Sequence, residues 1–169
     1  MIRIFPEPIL RQVAKRVENF RTPELKELVE QLFNVMAQKN GAGLAAPQIG
    51  VSQRLFVYGF DQNPRYPTEP AVPKDYVINP EIFWRSPERT RLEEGCLSFP
   101  DLRLMVLRSK SIRFRTFDLE GNCHEKEASG FAARIVQHET DHLNGVLFPD
   151  VAEKASDLES LNSDPILKL

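Results

Sequence analysis

The segment His138-Glu139-Thr140-Asp141-His142 constrains the fold of this chain more than any other feature, because its two histidines can act together only if the segment is helical. Two histidines four residues apart lie on one face of a helix, so both imidazoles reach one metal ion. Glu139 projects about 100° around the helix from His138 and can lie beside a metal-bound water without being a ligand. This arrangement is typical of metal-assisted hydrolysis.

The alternative is a pair of structural histidines on a polar helix surface. However, Phe131 and Ile135 precede His138 and His142 at steps of four, three and four residues. The histidines therefore continue an apolar stripe, which indicates a face that is buried or lines a pocket. The pattern favours a metal centre.

A catalytic site with two histidine ligands needs a third protein ligand and one open position. The residues after His142 include no His or Cys, which leaves Cys96, Cys123 and His124 as candidates. Cys123 and His124 fall at a predicted hairpin tip, where exposed strand residues are expected. The spacing favours the Cys96 thiolate, and a small buried hydrophobe is the alternative role for this residue.

A second unusual segment is Gly41–Gly50, which is rich in Gly and Pro and otherwise apolar. Gln48 carries its only polar side chain, and an unpaired carboxamide is costly in apolar surroundings. The amide either caps the backbone or donates to the oxyanion that forms during amide hydrolysis. The residues alone leave both roles open.

Composition places the chain among ordinary globular domains. Its 169 residues are 41% hydrophobic and 27% charged, with a net charge of -2, which disfavours a strongly basic nucleic-acid module. No apolar run approaches the ~20 residues of a membrane span, and the first residues do not resemble a secretory signal. Two cysteines do not make a disulfide framework, so we expect a cytosolic protein with reduced thiols.

We predict one α+β domain over residues 1–169, with short antiparallel strands around a central helix that bears the histidine motif. An N-terminal helix is expected over Pro23–Lys39, and the central helix from about Ser129 to Asn144. Prolines at every third position predict a surface loop over about 61–74, and residues 152–169 form a short tail. Strands are expected at 54–60, 76–78, 81–84, 102–107, 111–117 and 124–128.

Three segments, GAGLAAPQ (41–48), EGCLS (94–98) and QHETDHL (137–143), together resemble the bacterial and organellar peptide deformylase family. The resemblance extends over roughly residues 3–150. It implies removal of the N-formyl group from the initiator formyl-methionine of nascent polypeptides, with release of formate. It also implies a cytoplasmic or organellar-matrix location.

The resemblance assigns roles to individual residues. Cys96, His138 and His142 are expected to bind Fe²⁺, one per chain, with Zn²⁺, Ni²⁺ or Co²⁺ as substitutes and a water in the fourth position. Glu139 is expected to act as general base on this metal-bound water and then as general acid. The side chain of Gln48 and the backbone N–H of Leu97 are expected to stabilise the oxyanion.

The resemblance also implies a substrate pocket and partners. Glu94, paired with Arg108, is expected to accept a hydrogen bond from a metal-binding histidine. Arg134 departs from an apolar lining, so we expect its stem to pack and its head to reach solvent or a carboxylate. The expected partners are a formyl-Met peptide or nascent chain and, transiently, the ribosome, with no long C-terminal helix for docking, no membrane and no sequence-specific nucleic acid. The expected pocket residues are Ala42, Gly43, Leu44, Leu92, Glu94, Phe131, Arg134 and Ile135.

Two other functions compete with this interpretation. An endopeptidase with the same helical motif is disfavoured, because no third ligand stands out downstream of His142. A structural metal site needs a fourth protein ligand, for which Cys123 and His124 are the candidates.

Overall fold

The structure is a computed structural model that describes residues 1–153, so residues 154–169 of the predicted tail lie outside the described residues. It is an α+β arrangement with antiparallel strands, as predicted. The elements in chain order are α1 (Pro23–Gln38), β1 (Gly43–Ala45), β2 (Leu55–Phe60), β3 (Val72–Arg85), β4 (Arg89–Cys96), β5 (Phe99–Ser109), β6 (Ser111–Phe117), β7 (Cys123–Ser129), α2 (Gly130–Leu143) and α3 (Phe148–Val151).

Helix α1 begins where the sequence predicts. The hydroxyl of Thr22 accepts a hydrogen bond from the Leu25 N–H at 3.2 Å, which satisfies one of the unpaired donors of the first turn. Pro23 occupies the first turn, where its missing N–H costs nothing. The apolar face of α1, which includes Leu32, is buried against one side of a five-stranded sheet.

That sheet has the strand order β1-β2-β3-β6-β7, and every pairing in it is antiparallel. All six residues of β2 are buried, because both faces of this strand are covered. Leu55 and Val57 face the α1 side, whereas Phe56 and Phe60 pack in the cluster that includes Phe131 of α2. Helix α2 is therefore central, as expected, and it is held by an aromatic and aliphatic core.

Strand β3 differs from the prediction of two short strands separated at Asn79-Pro80. The chain continues as one strand of 14 residues, and its register against β6 shifts across Asn79-Pro80 and again between Ile82 and Trp84. Asn79 has a φ of 50° and is buried. Its side chain donates to the Val17 carbonyl and accepts from the Val17 N–H, both at 2.9 Å. This amide replaces ladder bonds that the irregular backbone cannot make.

Strands β4 and β5 form a separate two-stranded hairpin beside α2. The sequence analysis did not predict β4, and it placed β5 at 102–107 instead of Phe99–Ser109. The predicted loop 61–74 is also shorter, because β3 begins at Val72. Among residues 1–153, no helix is both long enough and apolar enough to cross a membrane.

Candidate metal centre

Three predicted ligands lie together where the end of β4 meets α2. The candidate donor atoms of Cys96, His138 and His142 all lie within 4.8 Å of one another. The Cys96 Sγ is 3.2 Å from the His142 Nε2, and the two imidazole centroids are 5.0 Å apart. Helix α2 supplies both histidines from one face, as the four-residue spacing predicts.

Electrostatics favour the ligand form of the thiol. Burial alone raises the pKa of Cys96, but the neighbouring His142 and His138 hold it well below its ordinary value. For His138, burial lowers the pKa, whereas bonds to Cys96 and Glu94 raise it well above the ordinary value. A thiolate is thus stabilised beside two imidazoles, and a thiolate is the form that binds metals.

Glu94 fixes the orientation of His138. The carboxylate of Glu94 is 2% exposed and lies 2.9 Å from the His138 Nδ1. It also accepts two hydrogen bonds from Arg108, at 2.6 and 3.0 Å, and one from Arg134 at 2.7 Å. Burial is the largest single influence and raises the pKa of Glu94, but His138 and Arg108 together outweigh it and hold the pKa well below the ordinary value, so the group stays ionised. The expected pairing of Glu94 with Arg108 is present, and Arg134 joins it.

Glu139 lies beside the three donors without belonging to them. It is 4% exposed, and its Oε2 has no hydrogen-bond partner among the described residues. Burial is the main reason why the pKa of Glu139 rises to about 7. Its other oxygen lies against Gly43, where a Cβ would approach the Glu139 Oε1 to 2.4 Å. The glycine is therefore required by the position of the carboxylate.

Gln48 makes contacts that fit both of the roles left open by the sequence. Its Oε1 accepts a hydrogen bond from the Ala45 N–H at 2.9 Å, which holds the amide plane. Its Nε2 lies 3.4 Å from the Cys96 Sγ and 3.1 Å from the Ser98 Oγ, so the donor end points at the candidate metal site. Backbone capping and donation into the site are thus compatible.

A cavity opens beside the three donors and is lined by most of the predicted pocket residues. Leu44 and Leu92 are not at its wall, and their role in substrate binding stays a prediction. Leu44 is fully buried in the cluster that includes Leu32 of α1, and Leu92 is partly buried against the cluster that includes Phe131 of α2. Residues at the cavity wall are Ala42, Gly43, Gln48, Arg65, Tyr66, Glu94, Gly95, Cys96, Leu97, Phe131, Arg134, Ile135, His138 and Glu139.

The sequence analysis missed three of these wall residues, Arg65, Tyr66 and Gly95. The ring of Tyr66 lies 4.8 Å from that of Phe131, and its hydroxyl accepts a hydrogen bond from the Gly95 N–H at 3.1 Å. Arg65 and Tyr66 belong to the proline-rich loop. Their only sequence signal is the spacing of the prolines, which does not say what the loop covers.

Cys123 and His124, the alternative ligands, lie elsewhere. Both are exposed, at the start of β7, and His124 pairs with Asp118 at 2.8 Å in the hairpin turn. Within residues 1–153, the candidate site therefore has three protein donors and no fourth. Three donors with an open side beside an acid are typical of a catalytic site.

The residues fit a divalent metal ion. The donor set combines one thiolate with two imidazoles, and these donors suit Fe²⁺, Co²⁺, Ni²⁺ and Zn²⁺. The unpartnered Glu139 Oε2 provides an acceptor next to the open side. The fold and the site together define an α+β hydrolase with a candidate Cys/His/His metal centre.

Comparisons with known proteins agree with the assignment to a hydrolase that has a candidate metal centre. The family model described as polypeptide deformylase matches residues 1–157. The chain is 50% identical over 140 residues to peptide deformylase 2 of Ralstonia nicotianae, which is 83% of this chain and 79% of the relative. It is 50% identical over 143 residues to peptide deformylase 1 of Bordetella pertussis, which is 85% of this chain and 81% of the relative.

Solved structures give the same result. The Met-Ala-Ser-bound class I type b peptide deformylase of Acinetobacter baumannii superposes with a TM-score of 0.86 at 38% identity, covering 89% of this chain and 96% of that one. Peptide deformylase of Thermotoga maritima superposes with a TM-score of 0.82 at 42% identity, covering 91% of this chain and 97% of that one. The chain belongs to the polypeptide deformylase family and is an enzyme of the hydrolase class.

Proposed function

We propose that this protein is a metal-dependent deformylase that removes the N-formyl group from formyl-methionine at the start of nascent polypeptides. The observation that carries the proposal is the cluster of Cys96, His138 and His142 beside the unpartnered carboxylate oxygen of Glu139. We propose Fe²⁺ as the native ion, one per chain, with Zn²⁺, Ni²⁺ or Co²⁺ as substitutes.

A divalent ion held by these three residues supplies Lewis acidity and lowers the pKa of water. Glu94 keeps His138 in place for that ion, because it occupies the Nδ1 and leaves the Nε2 for coordination. Arg108 and Arg134 keep Glu94 ionised and fixed. The protein thus prepares the ligand geometry before any ion binds.

Glu139 is the group that moves protons. Its carboxylate accepts a proton from the attacking water as the new C–O bond forms at the formyl carbon. It then gives this proton to the methionine nitrogen as the C–N bond breaks, which yields formic acid and the amine. The remaining water proton passes from formic acid to the amine, so formate and a methionine ammonium group leave. A pKa raised to about 7 by burial suits a group that must both accept and return a proton near neutral pH.

Gln48 and Leu97 stabilise the negative charge that develops on the formyl oxygen. The Nε2 of Gln48 points to the site because its Oε1 is fixed by the Ala45 N–H. Leu97 follows Cys96 directly and lines the same cavity, so we assign its backbone N–H as the second donor. Donors that are fixed before the reaction need no reorganisation during it.

The cavity accepts the methionine side chain. Phe131, Ile135 and Ala42 give it an apolar wall. Arg134 does not make this wall charged, because its guanidinium is engaged by Glu94 and by the Val106 carbonyl at 3.0 Å. The stem of Arg134 is left to pack, and Gly43 lets the substrate backbone approach.

The substrate of this reaction is a chain end, so the proposed partner is a formyl-Met peptide or a nascent chain on the ribosome. We propose that ribosome contact is transient and that the protein works where formyl-methionine initiates translation, in the cytoplasm or an organellar matrix. The Met-Ala-Ser tripeptide bound to the Acinetobacter baumannii enzyme supports a substrate that begins with methionine.

Glu139→Ala and Cys96→Ser test these assignments. We expect Glu139→Ala to retain bound metal at the wild-type stoichiometry and to release no formate from a formyl-Met tripeptide. We expect Cys96→Ser to lose the metal, as should His138→Ala. Full turnover in the Glu139→Ala protein, or wild-type metal content in Cys96→Ser, contradicts the proposal.

A further inference from the structure

The proline-rich loop is anchored over the cavity. Asn63 is 5% exposed, and its Nδ2 donates to the Asn40 carbonyl at 3.2 Å. Its Oδ1 accepts from the Arg65 N–H at 2.9 Å, and its carbonyl accepts from the Tyr66 N–H at 3.0 Å. The Tyr66 ring packs against Phe131. The backbone position of Arg65 is therefore defined by the buried amide of Asn63 and the partly buried ring of Tyr66.

Arg65 lies where two cavities meet. It lines the metal-site cavity and also an adjoining groove, and the two share Arg65, Cys96 and Leu97. Its guanidinium lies against Gly95, where a Cβ would be 3.0 Å from the Arg65 Nη2. A peptide whose first residue lies in the metal-site cavity can therefore continue into the groove past Arg65.

The adjoining groove is positively charged. Lys39, Arg65 and Arg103 line it, against the single acid Asp101. Arg103 is held by Glu93 at 2.8 Å, which neutralises it. Among residues 1–153, neither Arg65 nor Lys39 has an ion-pair partner, and the Arg65 guanidinium donates no hydrogen bond.

A half-buried guanidinium without a partner beside a substrate channel is a binding site for a carboxylate. We propose that Arg65, supported by Lys39, binds a carboxylate in the substrate chain that follows formyl-methionine, so that acidic residues there are preferred. This inference rests on the proposed deformylase function. The protein's net charge of -2 would attract basic peptides through the long-range field of the whole molecule. A preference for acidic peptides would therefore point to local binding at Arg65.

The test compares formyl-Met-Ala-Glu amide with formyl-Met-Ala-Gln amide, which differ only in charge. For the wild type we expect kcat/KM to be about two- to fivefold higher for the Glu peptide at low salt, the effect of a partly solvated ion pair. The ratio should fall toward one at about 0.5 M salt, where such pairs are screened. The free acid of the Gln peptide distinguishes a terminal carboxylate from an acidic side chain.

Arg65→Gln should bring the Glu-to-Gln ratio to about one, whereas Arg65→Lys should retain part of it. Arg85→Gln, an exposed arginine at the end of β3, is the matched control and should keep the wild-type ratio. A wild-type ratio of one, an unchanged ratio in Arg65→Gln, or an equal loss in Arg85→Gln overturns the inference. Absence of formate release from every peptide by the wild type instead refutes the proposed function.

Discussion

The buried ion network around Glu94 makes a strong prediction about stability. Glu94→Gln removes one negative charge from a group that holds Arg108, Arg134 and His138 together. After the substitution Arg108 still has Asp141 as an ion-pair partner, at 2.8 Å, but Arg134 has no other acidic partner in the described chain. The new amide also turns N–H donors toward guanidinium donors. The substitution therefore leaves buried positive charge uncompensated.

The expected size follows from burial. Arg108, Arg134 and Glu94 have side chains exposed by only 7%, 5% and 3%. Removing one member of such a buried group costs about 3–5 kcal/mol. For a domain of this size, each kcal/mol lowers the midpoint by roughly 2–4 °C, so Tm should fall by about 6–20 °C.

Glu93→Gln is the matched control, because Glu93 is the preceding residue of β4 and its side chain is 55% exposed. Its ion pair with Arg103 lies at the surface, so its loss should cost less than about 1 kcal/mol. Urea unfolding of both holo-proteins at one fixed metal concentration, followed by circular dichroism, measures the difference. A Glu94→Gln protein within 1 kcal/mol of Glu93→Gln refutes the reasoning. Metal affinity should also fall about 10–100-fold in Glu94→Gln alone.

Three further predictions follow from contacts of single residues. Gly43→Ala places a Cβ 2.4 Å from the Glu139 Oε1 and should lower kcat on the order of 10²-fold by displacing the carboxylate; a loss under tenfold contradicts this. Gln48→Ala should lower kcat about 10²–10³-fold, and a loss of tenfold or less removes Gln48 as an oxyanion donor. Burial, with Asp75 nearby, raises the pKa of Tyr58 to about 12, so the folded state holds this proton more tightly than the unfolded state. The free energy of unfolding should therefore be fully present below about pH 10 and fall as the pH rises toward 12. In urea titrations over this range, Tyr58→Phe should show a smaller fall than the wild type. An equal dependence of the unfolding free energy on pH in the two proteins contradicts the prediction.

Periodicity predicts the helices and the central strand well, because their burial is one-sided or complete. Leu25 and Leu32 repeat at helical spacing on α1, and β2 is an unbroken apolar run. Strand β4 was missed for a physical reason. Its inward-facing Glu94 is stabilised by arginines that are distant in sequence, and hydrophobic patterning does not register a buried acid.

Some residues of the candidate site could likewise be predicted from the sequence, and others could not. His138 and His142 are close in sequence, so helical spacing predicts their joint position. The choice of Cys96 as third ligand follows from the family resemblance, and the structure places its thiol beside the two histidines. Arg65 and Tyr66 could not be predicted, because their place at the cavity depends on how a loop folds across β4. The side chain of Leu44 lies in the cluster with Leu32 of α1 because strand alternation directs it to that side of the sheet.

The most direct test of the central claim is formate release by anaerobically purified protein, with the metal content measured on the same sample. The account predicts formate from a formyl-Met tripeptide at a rate proportional to bound Fe²⁺, loss of activity on chelation, and recovery when the ion is restored. Metal bound through Cys96 without formate release, or formate release that chelation leaves unchanged, would contradict it.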